Sequence, residues 1–156
     1  MKRSEINQSI REALDFLAEH RFLLPEWATW TPRMWGTHGE TCREIRDNAL
    51  GWDVTDFGKR NFAQEGLTLF TIRNGNPARD RKTYCEKIMF VREGQTTPIH
   101  FHWHKMEDII NRGGGDLCMK LWRADDKEGM TDAPCSFQID GITTTVRAGE
   151  VLRLRP

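Results

Sequence analysis

The chain lacks most of the features that mark special classes of protein. Its 156 residues contain no apolar run approaching the ~18 residues that a membrane-spanning helix needs. Charge of one sign is not in excess: 23 Lys and Arg face 23 Asp and Glu. That balance removes the electrostatic footprint expected of a partner for nucleic acid or for an anionic membrane. The first 20 residues are amphipathic and broken by charges, with no apolar signal core, so a cytoplasmic protein is expected. Cysteine is sparse. Cys42, Cys85, Cys118 and Cys135 are dispersed, with no C-x-x-C pair, which argues against a zinc cluster or a disulfide framework and for reduced thiols. Cys85 and Cys118 fall in strand-like segments, where buried structural thiols are expected. No internal repeat, linker or low-complexity tract divides the chain. It is therefore expected to form one domain over 1–156, large enough to bury a real core.

What is present reads as helix first and strand afterwards. Ser4 is placed to cap a helix over 5–20, where Ile6, Ile10, Leu14 and Leu17 recur at helical spacing. Trp27, Trp30 and Trp35 crowd the stretch that follows; a packed aromatic cluster is expected there, with a sugar-stacking surface as the alternative. Thr31-Pro32 marks an N-cap and first helical position. A further short helix is expected over 40–49, stopped by Gly51. From there the period changes. Strands are expected over 67–73, ending at Asn74-Gly75, over 83–92, over 97–104 and over 116–123. A hairpin is expected about Asp140-Gly141, and a last strand over 151–154. The fold class is mainly β: a helical segment over 1–50 and strands of a jelly-roll barrel over 51–156.

One segment carries chemistry. His100 and His102 are two apart, and on extended backbone they aim both imidazoles to one side. Glu107 follows after a turn and returns a carboxylate. Ile109-Ile110 reads as strand, and Asn111-Arg112-Gly113-Gly114-Gly115 as a tight turn. Two imidazoles and one carboxylate suit a divalent metal such as Mn, Fe, Ni or Zn, and leave coordination positions open for an oxygen substrate. His104 would need a backbone bend to join them, and His20 and His38 are expected at the surface or as helix caps.

The segment HFHWHKMEDIINRGGG resembles the metal-binding motif of the D-lyxose isomerases, cupin-type aldose–ketose isomerases. ALGWDVTDFG at 49–58 and EKIM at 86–89 are similar to two further stretches of that family, and the similarity runs from about residue 4 to the end. The resemblance implies a cupin-type jelly roll and a divalent metal, Mn2+ before others, held by His100, His102 and Glu107. It implies a pentose or hexose substrate, D-lyxose interconverting with D-xylulose, and D-mannose with D-fructose as a second pair. Lys87, in the EKIM strand, is the candidate catalytic residue: a lysine facing the barrel interior needs an anion, which a sugar oxygen or an enediolate provides. The alternative is an ordinary solvated strand lysine.

The pattern also departs from the family. A cupin's second motif, with a fourth ligand histidine, would follow Pro156, as would the family's general base. The barrel is therefore expected to be incomplete in this chain. The open strand near 151–154 is expected to pair in a homodimer or with a complementary chain. Two other readings stand beside the isomerase. A non-haem iron oxygenase uses the same ligand set, and an inactive remnant would only bind or assemble.

Overall fold

In the computed structural model, residues 1–81 and 83–156 are described, in two compact units, Met1–Ile99 and His100–Pro156. Helices are confined to the first: α1 (Arg3–Glu19), α2 (Pro32–His38) and α3 (Arg43–Asp47), with 3-10 turns at Glu26–Thr29 and Gly39–Cys42. β1 (Gly51–Thr55), β2 (Leu67–Asn74) and β3 (Cys85–Phe90) follow as an antiparallel sheet in the order β1-β2-β3. The architecture is mainly β with a helical preface, the fold class expected from the cupin-like patterning. Among the described residues the strands do not close into a barrel.

The first helix starts earlier than its sequence suggests. Its N-cap is Lys2, not Ser4, and the Glu5 carboxylate accepts from the Lys2 backbone N–H. A carboxylate in the first turn satisfies an otherwise orphaned donor, so a serine cap is not required. Ser9, Ala13 and Leu17 are its most buried positions, flanked by half-buried Ile6, Ile10 and Leu14. The first two turns of the buried line, Ser9 and Ala13, are small, with branched residues on the shoulders. That lets the helix lie close to the sheet. Thr31 caps α2 as its sequence indicates, its hydroxyl accepting from the Met34 N–H, with Pro32 in the first turn. The helix expected over 40–49 is shorter: α3 ends at Asp47, and Ala49 turns with φ 51°.

β2 is the centre of the first unit. Leu67, Thr68, Leu69, Phe70 and Thr71 are all buried, on a central strand flanked by β1 and β3. The register sets Trp52, Phe70 and Ile88 side by side, and Val54, Thr68 and Phe90 beside them. This face receives the helical segment: Phe16 meets Phe90 at 5.1 Å and Trp27 stacks on Phe70 at 4.8 Å. Arg92 reaches across from the end of β3 to the Glu12 carboxylate at 2.6 Å and donates to the Ser9 hydroxyl. The tryptophans form the packed cluster expected of them. Trp30 stacks on His38 at 3.8 Å and meets Trp35 edge-on.

In the second unit β4 (Leu117–Lys120) pairs with β9 (Val151–Leu154), β5 (Arg123–Ala124) with β6 (Met130–Thr131), and β7 (Cys135–Ile139) with β8 (Ile142–Val146), all antiparallel. The β7–β8 hairpin turns on Asp140 (φ 49°) and Gly141 (φ 82°). Both values lie in the left-handed region, the requirement of a type I′ turn. Asn111 ties the glycine turn to the sheet, its amide donating to the carbonyls of Gly115 and Leu154.

Two expectations fail here. Cys85 and Cys118 do lie on strands, but both are exposed; the buried thiol is Cys42. Each falls on the outward parity of its strand, opposite to half-buried Ile88 on β3 and to half-buried Leu117 and Met119 on β4. The segments 97–104 and 109–110 belong to no regular strand. A strand is defined by its ladder, and the bridge beside the first of these segments joins Thr96 to Glu65.

Candidate metal centre and active site

Between 100 and 103 the side chains still pair two apart, as on the strand expected over 97–104. The His100 and His102 rings stand 5.0 Å apart, and Phe101 meets Trp103 at 4.9 Å. Alternation thus puts two imidazoles on one side and two aromatic rings on the other. A bend at Trp103 and His104 then turns the chain. It brings Glu107 back so that its Oε1 lies 3.5 Å from His102 Nε2. All three sequence-nominated ligands therefore lie in one neighbourhood of the second unit, while His104 is exposed at the bend.

The charge around Glu107 is organised. Lys105 Nζ donates to Glu107 Oε1 at 2.5 Å. That hydrogen bond is the main reason the Glu107 carboxyl is held below its ordinary value; burial opposes it, and the positive charge of Lys105 and the imidazoles of His102 and His100 reinforce it. The carboxylate is thus kept ionised, as a ligand must be. Lys105 was not singled out from sequence. Its signal was the same parity that paired the histidines: residues 105 and 107 are two apart on extended chain.

The donor set fits a divalent ion in kind. Two ligand atoms each ~2.1 Å from a tetrahedral centre lie about 3.4 Å from one another, close to the His102–Glu107 separation. Among the described residues no three His, Cys, Asp or Glu side chains already close around one point.

Lys87 stands on β3 in the first unit, exposed, opposite Thr71 of β2. It shares the sheet face of Leu69 and Met89, the face turned away from Phe16 and Trp27. Immediately beyond the Thr71–Lys87 pair the register shifts, so that Arg73 faces Glu86 and Ile72 is the additional residue. Such bulges re-aim neighbouring side chains and are frequent beside active sites. A separate polar concavity of about 470 Å³ lies in the same unit, lined by Arg43, Asp47, Arg73, Arg79 and Tyr84 among others. Asp47 pairs with both Arg43 and Arg79 there, each at 3.0 Å.

Comparison with known proteins agrees with the motifs. The sequence model of the family described as D-lyxose isomerase matches residues 1–156. A D-lyxose/D-mannose isomerase of Escherichia coli O157:H7 is 48% identical over 159 aligned residues, which cover 100% of this chain and 70% of that protein. A D-lyxose/D-mannose isomerase of Serratia proteamaculans is 46% identical over 159 residues, with the same coverage, 100% and 70%. With a whole-chain family match, two relatives near half-identity, and the His-x-His and Glu107 side by side, the chain belongs to the D-lyxose isomerase family and is an aldose–ketose sugar isomerase.

Proposed function

We propose that the protein is a metal-dependent isomerase that interconverts D-lyxose and D-xylulose, with D-mannose and D-fructose as a second pair, and that His100, His102 and Glu107 hold the metal. The observation that carries this reading is the approach of Glu107 Oε1 to His102 Nε2 at 3.5 Å beside the His100 ring. The relatives' names supply D-lyxose and D-mannose, and the ketoses are those that the family resemblance implies. Manganese is the ion that the family resemblance implies, and the carboxylate suits it. When bound, the ion supplies positive charge that stabilises the enediolate formed as a proton moves between C1 and C2.

This chain's own residues orient and exclude. His100 and His102 fix two neighbouring ligand positions on one side of an extended segment. Glu107 contributes the anionic one and is kept ionised by its surroundings. Lys87, next to the β2–β3 bulge, supplies a cation for a sugar oxygen that gains negative charge. The free state of all four cysteines suits a reducing, cytoplasmic setting. The two-stranded sheet β4–β9 has unpaired outer edges among the described residues, which suits pairing with a second copy or a complementary chain.

The test is manganese content and ketose formation in parallel. His100→Ala and His102→Ala should each lose bound manganese by well over tenfold, since even an outer hydrogen-bond partner is worth about 10- to 100-fold in metal affinity. Lys87→Ala should keep its manganese and lose turnover. Unchanged manganese stoichiometry in both histidine variants would sink the ligand assignment. Oxygen consumption with iron, in place of ketose formation with manganese, would replace the isomerase by an oxygenase.

A further inference from the structure

The residue that holds Glu107 is not one of its proposed metal co-ligands. Lys105 Nζ lies 2.5 Å from Glu107 Oε1, the same oxygen that faces His102 Nε2 at 3.5 Å. An ammonium therefore already occupies the carboxylate oxygen that faces His102. We propose that Lys105 is an exchangeable counter-ion: it holds Glu107 in place until a divalent cation displaces it, so ammonium and metal bind this carboxylate in alternation. The inference rests on the reading of His100, His102 and Glu107 as metal ligands.

Three observations support exchange over a fixed brace. First, the pair is open to solvent, with the Lys105 side chain 50% exposed and that of Glu107 38%. Exposed pairs are worth little and open readily. Second, nothing packs between the partners: Met106, the residue that separates them, is 94% exposed. Third, a divalent ion at the imidazoles and an ammonium at the same oxygen are like charges within a few ångströms, and such an arrangement is unfavourable. Binding of one must weaken the other. In the metal-free protein the lysine occupies the carboxylate oxygen that faces His102. In the loaded protein it is released, a positive charge made free beside the metal.

The experiment uses the full chain, stripped of metal by chelation and titrated calorimetrically with manganese chloride, as the parent, Lys105→Gln and Lys105→Arg. Lys105 is exposed, so far-UV circular dichroism melts of the three metal-free proteins should coincide. Lys105→Gln should bind manganese about two- to fivefold more tightly, the factor that an exposed ion pair can withhold. Lys105→Arg should match the parent. In a second measurement, acetic anhydride labels lysines with and without saturating manganese, and peptides are quantified by mass. Labelling of Lys105 should rise with manganese while that of exposed Lys120 stays constant. An unchanged or weaker affinity in Lys105→Gln, or unchanged or slower labelling of Lys105, overturns the exchange and leaves the ligand assignment standing. No manganese binding by the parent overturns both.

Discussion

Phe70 offers a sharp quantitative test of the first unit. Its side chain is fully buried at the centre of β2, with Trp27 stacked on it at 4.8 Å and Trp52 edge-on at 5.1 Å. Truncation to alanine removes the ring from a site walled by other rings, which cannot collapse inward without losing their own contacts. A loss of about 3–5 kcal/mol is expected for Phe70→Ala. Phe70→Leu keeps most of the volume but forfeits two aromatic pairs at about 0.5–1.5 kcal/mol each, so roughly 1–3 kcal/mol. Met89 is the control: it lies on β3, pairs with Leu69 and is 48% exposed on the opposite face. Met89→Ala should cost under about 1 kcal/mol. Equilibrium urea unfolding followed by circular dichroism measures all three, with a common slope required for the comparison. Tryptophan emission should shift in the Phe70 variants, since two indoles lose a neighbour. If Phe70→Ala unfolds within about 1 kcal/mol of the parent, the ring is not the support of this sheet and the packing argument fails.

Gly66 admits no side chain: a Cβ there would come within 2.6 Å of the Phe62 carbonyl, the Phe62 ring and the Gln95 amide. Gly66→Ala should destabilise by about 1–3 kcal/mol, measurable in the same unfolding experiment, and a neutral result would refute the close approach. Asp47 is held below its ordinary carboxylate value by hydrogen bonds first from Arg43 and then from Arg79. A depressed group contributes stability above its unfolded value and loses it as pH falls through the folded one. The stability gap between the parent and Asp47→Asn should therefore be steady at neutral pH and close as the pH falls below the ordinary value of 3.8. A gap that widened in acid would contradict the pairing.

How much of this was readable in the residues depends on how local the determinant is. The hairpin at Asp140-Gly141 and the end of β2 at Asn74-Gly75 are written in dipeptides whose backbone preferences need no distant partner. So is the Thr31-Pro32 start of α2. The pairing of His100 with His102 followed from parity alone, and the return of Glu107 from a turn. What failed depended on partners remote in sequence. The segment 97–104 has strand composition, yet a strand is a relation between two segments, and composition speaks for one. Burial of Cys85 and Cys118 failed for a related reason. Strand membership does not say which parity faces inward, and only the neighbours decide that. Lys105 was passed over because a lysine in a charged, exposed run reads as solvated until its carboxylate partner is located.

The hairpin has a consequence for how such a chain can change over time. Ile139 and Ile142 close a two-residue loop in which both positions have positive φ. Along β7 the half-buried residues are Cys135, Phe137 and Ile139, with Ser136 and Gln138 turned outward. Substitution at Ser136 or Gln138 alters only the solvent side. Loss or gain of a single residue in β7 is different in kind, because it moves every side chain beyond it to the other face. Lineages should thus drift freely in spelling here and hardly at all in length. An alignment gap inside this hairpin would mark a rebuilt sheet, not a trimmed loop.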